Sequence, residues 1–185
     1  MSDVSIFGSD EQHDVPVDVM RWVSLARLVV NEEKVPGTSE LSLLFVDRTT
    51  IAELNEKFLG GTGPTDVLAF PMDDDLVLPG RQPEQGGRGP GAPSEGGEPP
   101  TLIGDVVVCP AVAQAQAPDH DATLDDELAL LVVHGVLHLL NYDHADPREE
   151  AMMQQREREL LARFREHEHG RGEPTRDATS GEPER

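Results

Sequence analysis

The spacing of apolar residues predicts a chain of alternating short strands and helices. Apolar runs between polar stretches predict strands, and apolar residues that recur every three or four positions predict helices with one buried face. Strands are predicted over residues 3–7, as a weak edge strand, 41–46, 65–72 and 102–109. Helices are predicted over residues 17–30, with Pro16 suited to the first turn, 48–59, capped by Asp47 with Ile51, Leu54 and Phe58 inside, 111–117, and 146–164, with Met152, Met153, Leu160 and Leu161 inside. We expect the strands at 65–72 and 102–109 to pair antiparallel, because they flank one hairpin-like insertion.

The most apolar stretch, ELALLVVHGVLHLLNYDH over residues 127–144, predicts a buried helix that carries histidines. His134 and His138 are four residues apart, so a helix places them on one face, about 6 Å apart along its axis. His144 follows a predicted chain reversal at Asn141 and Tyr142. Three imidazoles in this arrangement form a nitrogen cage with one open side, which is the ligand set of a catalytic zinc ion.

A single histidine on an apolar helix is more simply interpreted as a hydrogen-bonded core residue. Three buried imidazoles without a ligand would each need a separate partner, so the cluster favours a metal. Imidazole ligands without a thiolate suit one zinc ion per chain, with nickel, copper or iron as alternatives. Asp143 lies beside His144 and is a candidate either for orienting a ligand imidazole or for capping the turn.

Residues 73–100 differ in kind from the segments that flank them. Residues 79–100 include seven glycines and six prolines, and only Leu76 to Leu78, just before them, supply an apolar anchor. Such a segment cannot bury enough apolar surface to offset its ordering entropy, which predicts a disordered insertion in the hairpin. The polar residues 166–185 are predicted to form a flexible tail.

Composition limits the class of protein. A length of 185 residues predicts one domain, and the single Cys109 excludes an internal disulfide and fits a reducing cytosol. The N-terminal residues lack the apolar core of a secretory signal, and no apolar run is long enough to span a bilayer. We therefore expect a soluble cytoplasmic protein without a membrane partner. The net charge of −21 argues against broad, nonspecific nucleic-acid binding but permits a local basic site.

The histidine spacing H-x3-H-x5-H is also that of the metzincin proteases. In those enzymes a glutamate follows the first histidine and acts as the general base that activates water. Gly135 occupies that position here, and glycine has no side chain for proton transfer. The comparison is therefore compatible with a metal site in this chain. It argues against proteolysis, because the general base is missing.

Three segments together resemble the YbeY family of bacterial metalloproteins. The family signature H-G-x-L-H-L-x-G-Y-D-H is matched by HGVLHLLNYDH at residues 134–144, except that Asn141 replaces a glycine. Asparagine also tolerates the left-handed backbone conformation, so the turn is expected to be kept. A second element appears as Leu54-Asn55 followed by PTDVLAFP at 64–71, and a third as IGDVVVC at 103–109. The resemblance covers residues 1–165 and leaves the insertion and the tail outside.

The resemblance implies an α+β fold with a small mixed sheet of about four strands, four to five helices, and the metal site on the buried helix. It also implies a single-strand-specific, zinc-dependent endoribonuclease in 16S ribosomal RNA 3′-end maturation and ribosome quality control. The expected partners are ribosomal RNA and the small ribosomal subunit or its assembly factors, and no DNA. By matching positions, the metal ligands are His134, which is also the candidate catalytic residue, His138 and His144. Further residues expected near the ligands or the substrate are Asp143, Asp105, Thr65, Asp66 and Lys57.

One departure from the family pattern concerns phosphate binding. Many relatives close the L-N-x-x-x-R element with an arginine, where this chain has Leu59, and leucine cannot hold a phosphate. Lys57 is the nearest cation in sequence, but helical periodicity points it elsewhere, and a solvated lysine is its simpler interpretation. Leu59 and the negative charge favour an alternative function, a zinc-stabilised ribosome-assembly factor with little nuclease activity. A hydrolase of a small substrate is a third interpretation.

Overall fold

The computed structural model describes residues 3–72, 100–142 and 146–171. The strands are β1 (Asp3–Asp10), β2 (Thr38–Phe45), β3 (Val67–Pro71) and β4 (Thr101–Val108). The helices are α1 (Val19–Glu32), α2 (Arg48–Leu54), α3 (Pro110–Gln116), α4 (Leu124–Leu139) and α5 (Pro147–Arg171). A π-helical turn, Asn55–Leu59, continues α2, and a 3₁₀ turn, Ala117–His120, follows α3. The predicted α+β architecture, with four strands and five helices among these residues, is confirmed.

The four strands form one mixed sheet in the order β1-β2-β4-β3. β1 pairs parallel with β2, and β2 pairs parallel with β4, which places β1 at one edge as predicted. β3 pairs antiparallel with β4, with Val67 opposite Val108 and Pro71 opposite Gly104, so the predicted pairing is also confirmed. Pro71 lies at the end of an edge strand, where its missing N–H costs no ladder hydrogen bond.

The main core lies between one face of the sheet and α1, α4 and α5. α4 is the centre of this layer, because its side chains pack against α1, α3, α5, β3 and β4. A smaller cluster covers part of the other face, where α2 and α3 contribute Ile51 and Val112. Since α4 is surrounded by protein on most sides, its sequence is apolar almost all round, as a buried helix requires.

Polar residues fix both ends of α4. At its start Thr123 accepts a hydrogen bond from the Asp126 backbone N–H, while the Asp126 carboxylate accepts one from the Thr123 N–H, a capping box. At its end Asn141 has a left-handed backbone with φ of 61°. The Asn141 N–H donates to the His138 carbonyl and the Tyr142 N–H to the Leu137 carbonyl, both at 3.0 Å, which is the Schellman arrangement. The expectation that asparagine preserves this turn is confirmed.

Several predicted helix boundaries are wrong. α1 begins at Val19 because the Asp18 carboxylate caps it, so Pro16 lies before the helix. α5 runs to Arg171, beyond the predicted helix end at Phe164, and the surface ion pair between Arg165 and Asp126 links it to α4. Its predicted start is confirmed, since the Asp146 carboxylate accepts hydrogen bonds from the first turn.

Two side chains predicted to be buried are exposed. Phe58 is 55% exposed, because the π-helical turn has a different period from the α-helix that the sequence predicted. Met152 is 59% exposed, because the buried stripe of α5 runs through Met153, Leu160 and Phe164 instead. The predicted insertion lies, apart from Pro100, outside the described residues, as do residues 172–185 of the tail. Within the described ranges, no helix is both long and apolar enough to cross a membrane.

Candidate functional site

His134 and His138 meet on one face of α4. Their Nε2 atoms are 3.0 Å apart, and the two rings are nearly perpendicular, with centroids 4.5 Å apart. The four-residue spacing produces this approach, because residues i and i+4 lie above one another on a helix. The two predicted ligands on α4 are therefore brought together, with their Nε2 atoms in contact.

Glu157 of α5 fixes the orientation of His134. Its carboxylate lies 2.7 Å from Nδ1 of His134, and the residue is only 7% exposed. A carboxylate accepts hydrogen bonds and does not donate them, so Nδ1 carries the proton and Nε2 presents its lone pair. Glu157 thus selects the ring tautomer that a ligand or a base at Nε2 requires.

Gly135 allows α4 to lie close to the sheet beside the histidines. A Cβ at this position would lie 2.6 Å from Cγ1 of Val106 on β4 and 3.3 Å from Cγ2 of Val67 on β3. Both distances are shorter than ordinary contacts between carbon atoms. Gly135, whose missing side chain excludes a metzincin-type general base, therefore also has a packing role. It lets α4 place the histidine pair at the edge of the sheet, at β3.

The histidine pair lines a cleft of about 330 Å³ between α4 and β3. The other wall is apolar and comes from β3 and from the π-helical turn, with Val67, Leu68, Ala69, Pro71 and Leu59. Leu59, the residue at the family arginine position, thus lies at this cleft and is 61% exposed. A smaller cavity of about 170 Å³ lies on the α5 side of His134, next to Glu157 and Glu150.

The Leu54-Asn55 element shapes the loop that borders the cleft. The Asn55 side-chain amide donates to the Gly63 carbonyl at 2.9 Å, which ties the π-helical turn to the glycine-rich loop after it. Lys57, a predicted substrate-proximal residue, has its ammonium 5.0 Å from the centre of the Phe58 ring. The Phe58 ring in turn packs edge-on against Phe70 on β3. The side chains of Lys57 and Phe58 therefore lie beside the β3 edge and are not among the residues that line the cleft.

Thr65 and Asp66 lie at the beginning of β3. The Asp66 carboxylate accepts hydrogen bonds from the Thr65 hydroxyl at 3.1 Å and from the Val67 backbone N–H at 2.8 Å. The Asp66 carbonyl also accepts from the Cys109 N–H, so this residue supports the local strand geometry. The structure places Thr65 and Asp66 at the strand start, next to the Val67 end of the cleft.

Asp105 lies on the other face of the sheet from the histidine pair. It is opposite Phe70 in the β3–β4 register, while its neighbour Val106 faces Gly135 on α4. Asp105 instead borders a separate cavity on the uncovered face. His144 and Asp143, the third predicted ligand and its neighbour, lie outside the described residues. Among the residues that are described, no group of three or more histidine, cysteine or acidic residues is arranged to hold a metal.

Glu157 was not among the site residues predicted from the sequence, although the sequence contains a signal for it. Met153, Leu160 and Phe164 form the buried stripe of α5, and position 157 belongs to the same stripe by helical spacing. A carboxylate within an apolar stripe needs a partner, because an unpaired buried charge is costly. Asp143 was predicted, from proximity in sequence, either to orient a ligand imidazole or to cap the turn, and it lies outside the described residues. The described partner of His134 comes from another helix.

The fold and the cleft define a class: a small α+β protein with a cleft lined by two imidazoles of a central helix, one of them oriented by a buried carboxylate. The sequence model of the family described as Endoribonuclease YbeY matches residues 8–165. The chain is 47% identical over 149 residues to Endoribonuclease YbeY of Salinispora tropica, covering 80% of this chain and 89% of that one. It is 42% identical over 151 residues to the protein of the same name from Thermobifida fusca, covering 82% and 88% of the two chains. The chain belongs to the YbeY family.

A solved structure supports the fold. The solution structure of TM1509 from Thermotoga maritima superposes with a TM-score of 0.54 and 22% sequence identity. The match covers 97% of this chain and 99% of that one. At this level of identity the likeness concerns the architecture alone.

Proposed function

We propose that the chain is a zinc-dependent endoribonuclease that cleaves single-stranded ribosomal RNA in the cytoplasm. The observation that carries the proposal is the convergence of His134 and His138 at the mouth of a cleft, with Glu157 holding His134 in the tautomer of a metal ligand. Membership of a family whose relatives are named endoribonucleases supports the reaction class. The motif resemblance supports ribosomal RNA as the substrate.

The donor set fits zinc by distance and by chemistry. Two Zn–N bonds of about 2.05 Å at a tetrahedral angle place the nitrogens about 3.3 Å apart. The observed Nε2–Nε2 distance of 3.0 Å is close to that value. The sequence supplies His144 two residues after Tyr142 as the third imidazole, and zinc sites with three protein ligands leave one position for water or substrate. When bound, the ion supplies a Lewis acid for the phosphate and activates water at neutral pH.

Other residues of the chain would orient the ligand His134 and shape the cleft that receives the substrate. Glu157 keeps the proton on Nδ1 of His134 and holds the orientation of that ring. The apolar wall of Val67, Ala69 and Pro71 offers no side-chain donor, so a substrate in the cleft contacts this wall by van der Waals packing and not by side-chain hydrogen bonds. A cleft of about 330 Å³ is at the small end of ligand pockets, which suits one nucleotide of a single strand.

A second candidate function is that of a zinc-stabilised assembly factor with weak nuclease activity. It is favoured by Leu59, which leaves the cleft without the arginine that many relatives have there, and by the net charge of −21. A nuclease that acts alone should bind naked RNA with affinity that falls steeply with salt. An assembly factor should bind pre-ribosomal particles and should bind naked RNA weakly at any salt concentration.

The proposal is tested by mapping 16S ribosomal RNA 3′ ends in cells that carry His134→Ala in place of the unmodified protein. We expect unprocessed 3′ ends to accumulate, together with loss of zinc from the purified variant. The matched control is His167→Ala, because His167 is an exposed histidine on α5 that does not line the cleft. Normal 3′ ends in the His134→Ala cells would exclude the proposed substrate.

A further inference from the structure

An exposed aromatic side chain adjoins the histidine cleft. Phe58 is 55% exposed, and the next residue, Leu59, lines the cleft. The Phe58 ring contacts Phe70 of β3 edge-on, with the ring centres 5.4 Å apart and the ring planes at 68°. This contact holds the ring beside β3 and leaves more than half of Phe58 open to solvent. The surface next to the cleft therefore includes an aromatic group that is not part of the buried core.

The backbone keeps Phe58 in this exposed position. In a continuous α-helix, residue 58 would share a face with Ile51, seven positions earlier, which is fully buried. The π-helical turn changes the helical period and directs Phe58 away from that face. The turn is held by the Asn55 side-chain amide, which donates to the Gly63 carbonyl at 2.9 Å, and by Gly61, where a Cβ would overlap the Asn55 side chain. The ring is thus presented on a fixed turn, so a ligand that binds to it loses little affinity to ordering of the loop.

A positive charge lies next to the ring. The Lys57 ammonium is 5.0 Å from the centre of the Phe58 ring, within the distance of a cation–π contact. Lys57 is exposed and, in the part of the chain that the structure describes, forms no salt bridge. Proteins bind single-stranded nucleic acids with this combination of groups, because bases stack on an aromatic ring and phosphates pair with a cation. An anionic strand with flat bases fits the two groups better than an apolar peptide does.

We propose that Phe58 and Lys57 form a subsite for single-stranded RNA, in which a base stacks on Phe58 and a phosphate pairs with Lys57. The identity of the strand rests on the proposed function. Leu59 carries no charge, and the side chains of β3 that line the cleft are apolar, so this wall has no side chain that can hold a phosphate. The subsite supplies such a contact next to the cleft. Since every base has a π face, the subsite binds strands with little regard to sequence.

The subsite is tested by the affinity of the full chain for a short, fluorescently labelled single-stranded RNA. Binding is measured by anisotropy on ice, and gel electrophoresis verifies that the strand is intact. We expect Phe58→Leu, which keeps an apolar side chain but removes the π face, to weaken binding at least about fivefold, the lower end for base stacking on aromatic residues. Phe58→Tyr should bind as the unmodified chain does. The matched control is Phe7→Leu, because Phe7 is 65% exposed on β1, at the opposite edge of the sheet, and this change should leave the affinity unaltered.

A strand of the same length that carries no bases separates the two roles within the subsite. Phe58→Leu should bind this strand as the unmodified chain does, since the stacking contact is already absent. Lys57→Gln should still weaken binding to it, because the phosphates remain. With either strand, Lys57→Gln should reduce the slope of log affinity against log salt by about 0.7, the value for one phosphate of a single strand.

The outcomes separate the inference from the proposed function. If Phe58→Leu binds the RNA as tightly as Phe7→Leu and the unmodified chain do, the subsite is wrong, while cleavage by the unmodified chain would still support the proposed function. Equal weakening by Phe58→Tyr and Phe58→Leu would assign the effect to packing against Phe70 and would also overturn the inference. If Phe58→Leu alone weakens binding but the unmodified chain holds no zinc and cleaves no RNA, the subsite stands and the proposed catalysis fails.

Discussion

The close packing around Gly135 predicts that Gly135→Ala lowers the free energy of unfolding. In Gly135→Ala the new Cβ meets Cγ1 of Val106 at 2.6 Å, so one of them must move by about 1 Å to reach ordinary contact. Overpacking of this kind costs roughly 1–3 kcal/mol, and alanine recovers about 1 kcal/mol of helix propensity over glycine. We expect a net destabilisation of about 1 kcal/mol.

This destabilisation by Gly135→Ala should disappear or change sign when the side chain of Val106 is shortened. In a Val106→Ala background the clashing methyl is gone, so Gly135→Ala should be neutral or should stabilise by up to about 1 kcal/mol. Urea unfolding monitored by Trp22 measures each variant, since this single tryptophan is 1% exposed in the core. Gly170→Ala is the control, because a Cβ at this helical glycine meets nothing within 4 Å. An identical effect of Gly135→Ala in both backgrounds would refute the packing argument.

Three further predictions concern the cleft, a buried thiol and an ion pair. Leu59→Arg, at an exposed position of the cleft, should add one phosphate contact, steepening the salt dependence of single-stranded RNA binding by about 0.7 and raising cleavage; an unchanged slope would place the phosphate elsewhere. Burial raises the pKa of the Cys109 thiol, so a chromogenic disulfide reagent should modify it only when the protein unfolds, and rapid reaction of the folded protein would contradict this. The Glu127 carboxylate accepts a hydrogen bond from His120 and raises the pKa of His120 above 6.5. The His120–Glu127 pair therefore stabilises the fold fully below about pH 6.5. This stabilisation is lost as the pH rises through the raised pKa of His120. Glu127→Gln should lower the His120 pKa in an NMR titration, and an unchanged titration would show that this contact is not the cause.

Local sequence patterns were sufficient for the parts of the site that lie on one element. The spacing of His134 and His138 predicted their shared face, and Asn141 was correctly expected to adopt the left-handed turn. Both predictions depend on residues within one helical turn of each other. The capping of α5 by Asp146 is of the same kind.

Those patterns did not predict the contacts between elements that are distant in the sequence. The Glu157–His134 bond joins residues on two helices, and the Tyr142–Glu33 bond joins residues 109 positions apart. No periodicity within a single segment encodes such pairs. The exposure of Phe58 was missed for another reason, because the π-helical turn changes the helical period that the prediction assumed.

The proposed function rests on the claim that the histidines of α4 hold a zinc ion that is needed for RNA cleavage. It is tested most directly by measuring zinc content and cleavage of a single-stranded ribosomal RNA fragment for the unmodified chain, His138→Ala and the His167→Ala control. We predict one zinc per chain and cleavage for the unmodified chain and for His167→Ala, and the loss of both for His138→Ala. Full cleavage by a His138→Ala protein that contains no zinc would contradict the claim.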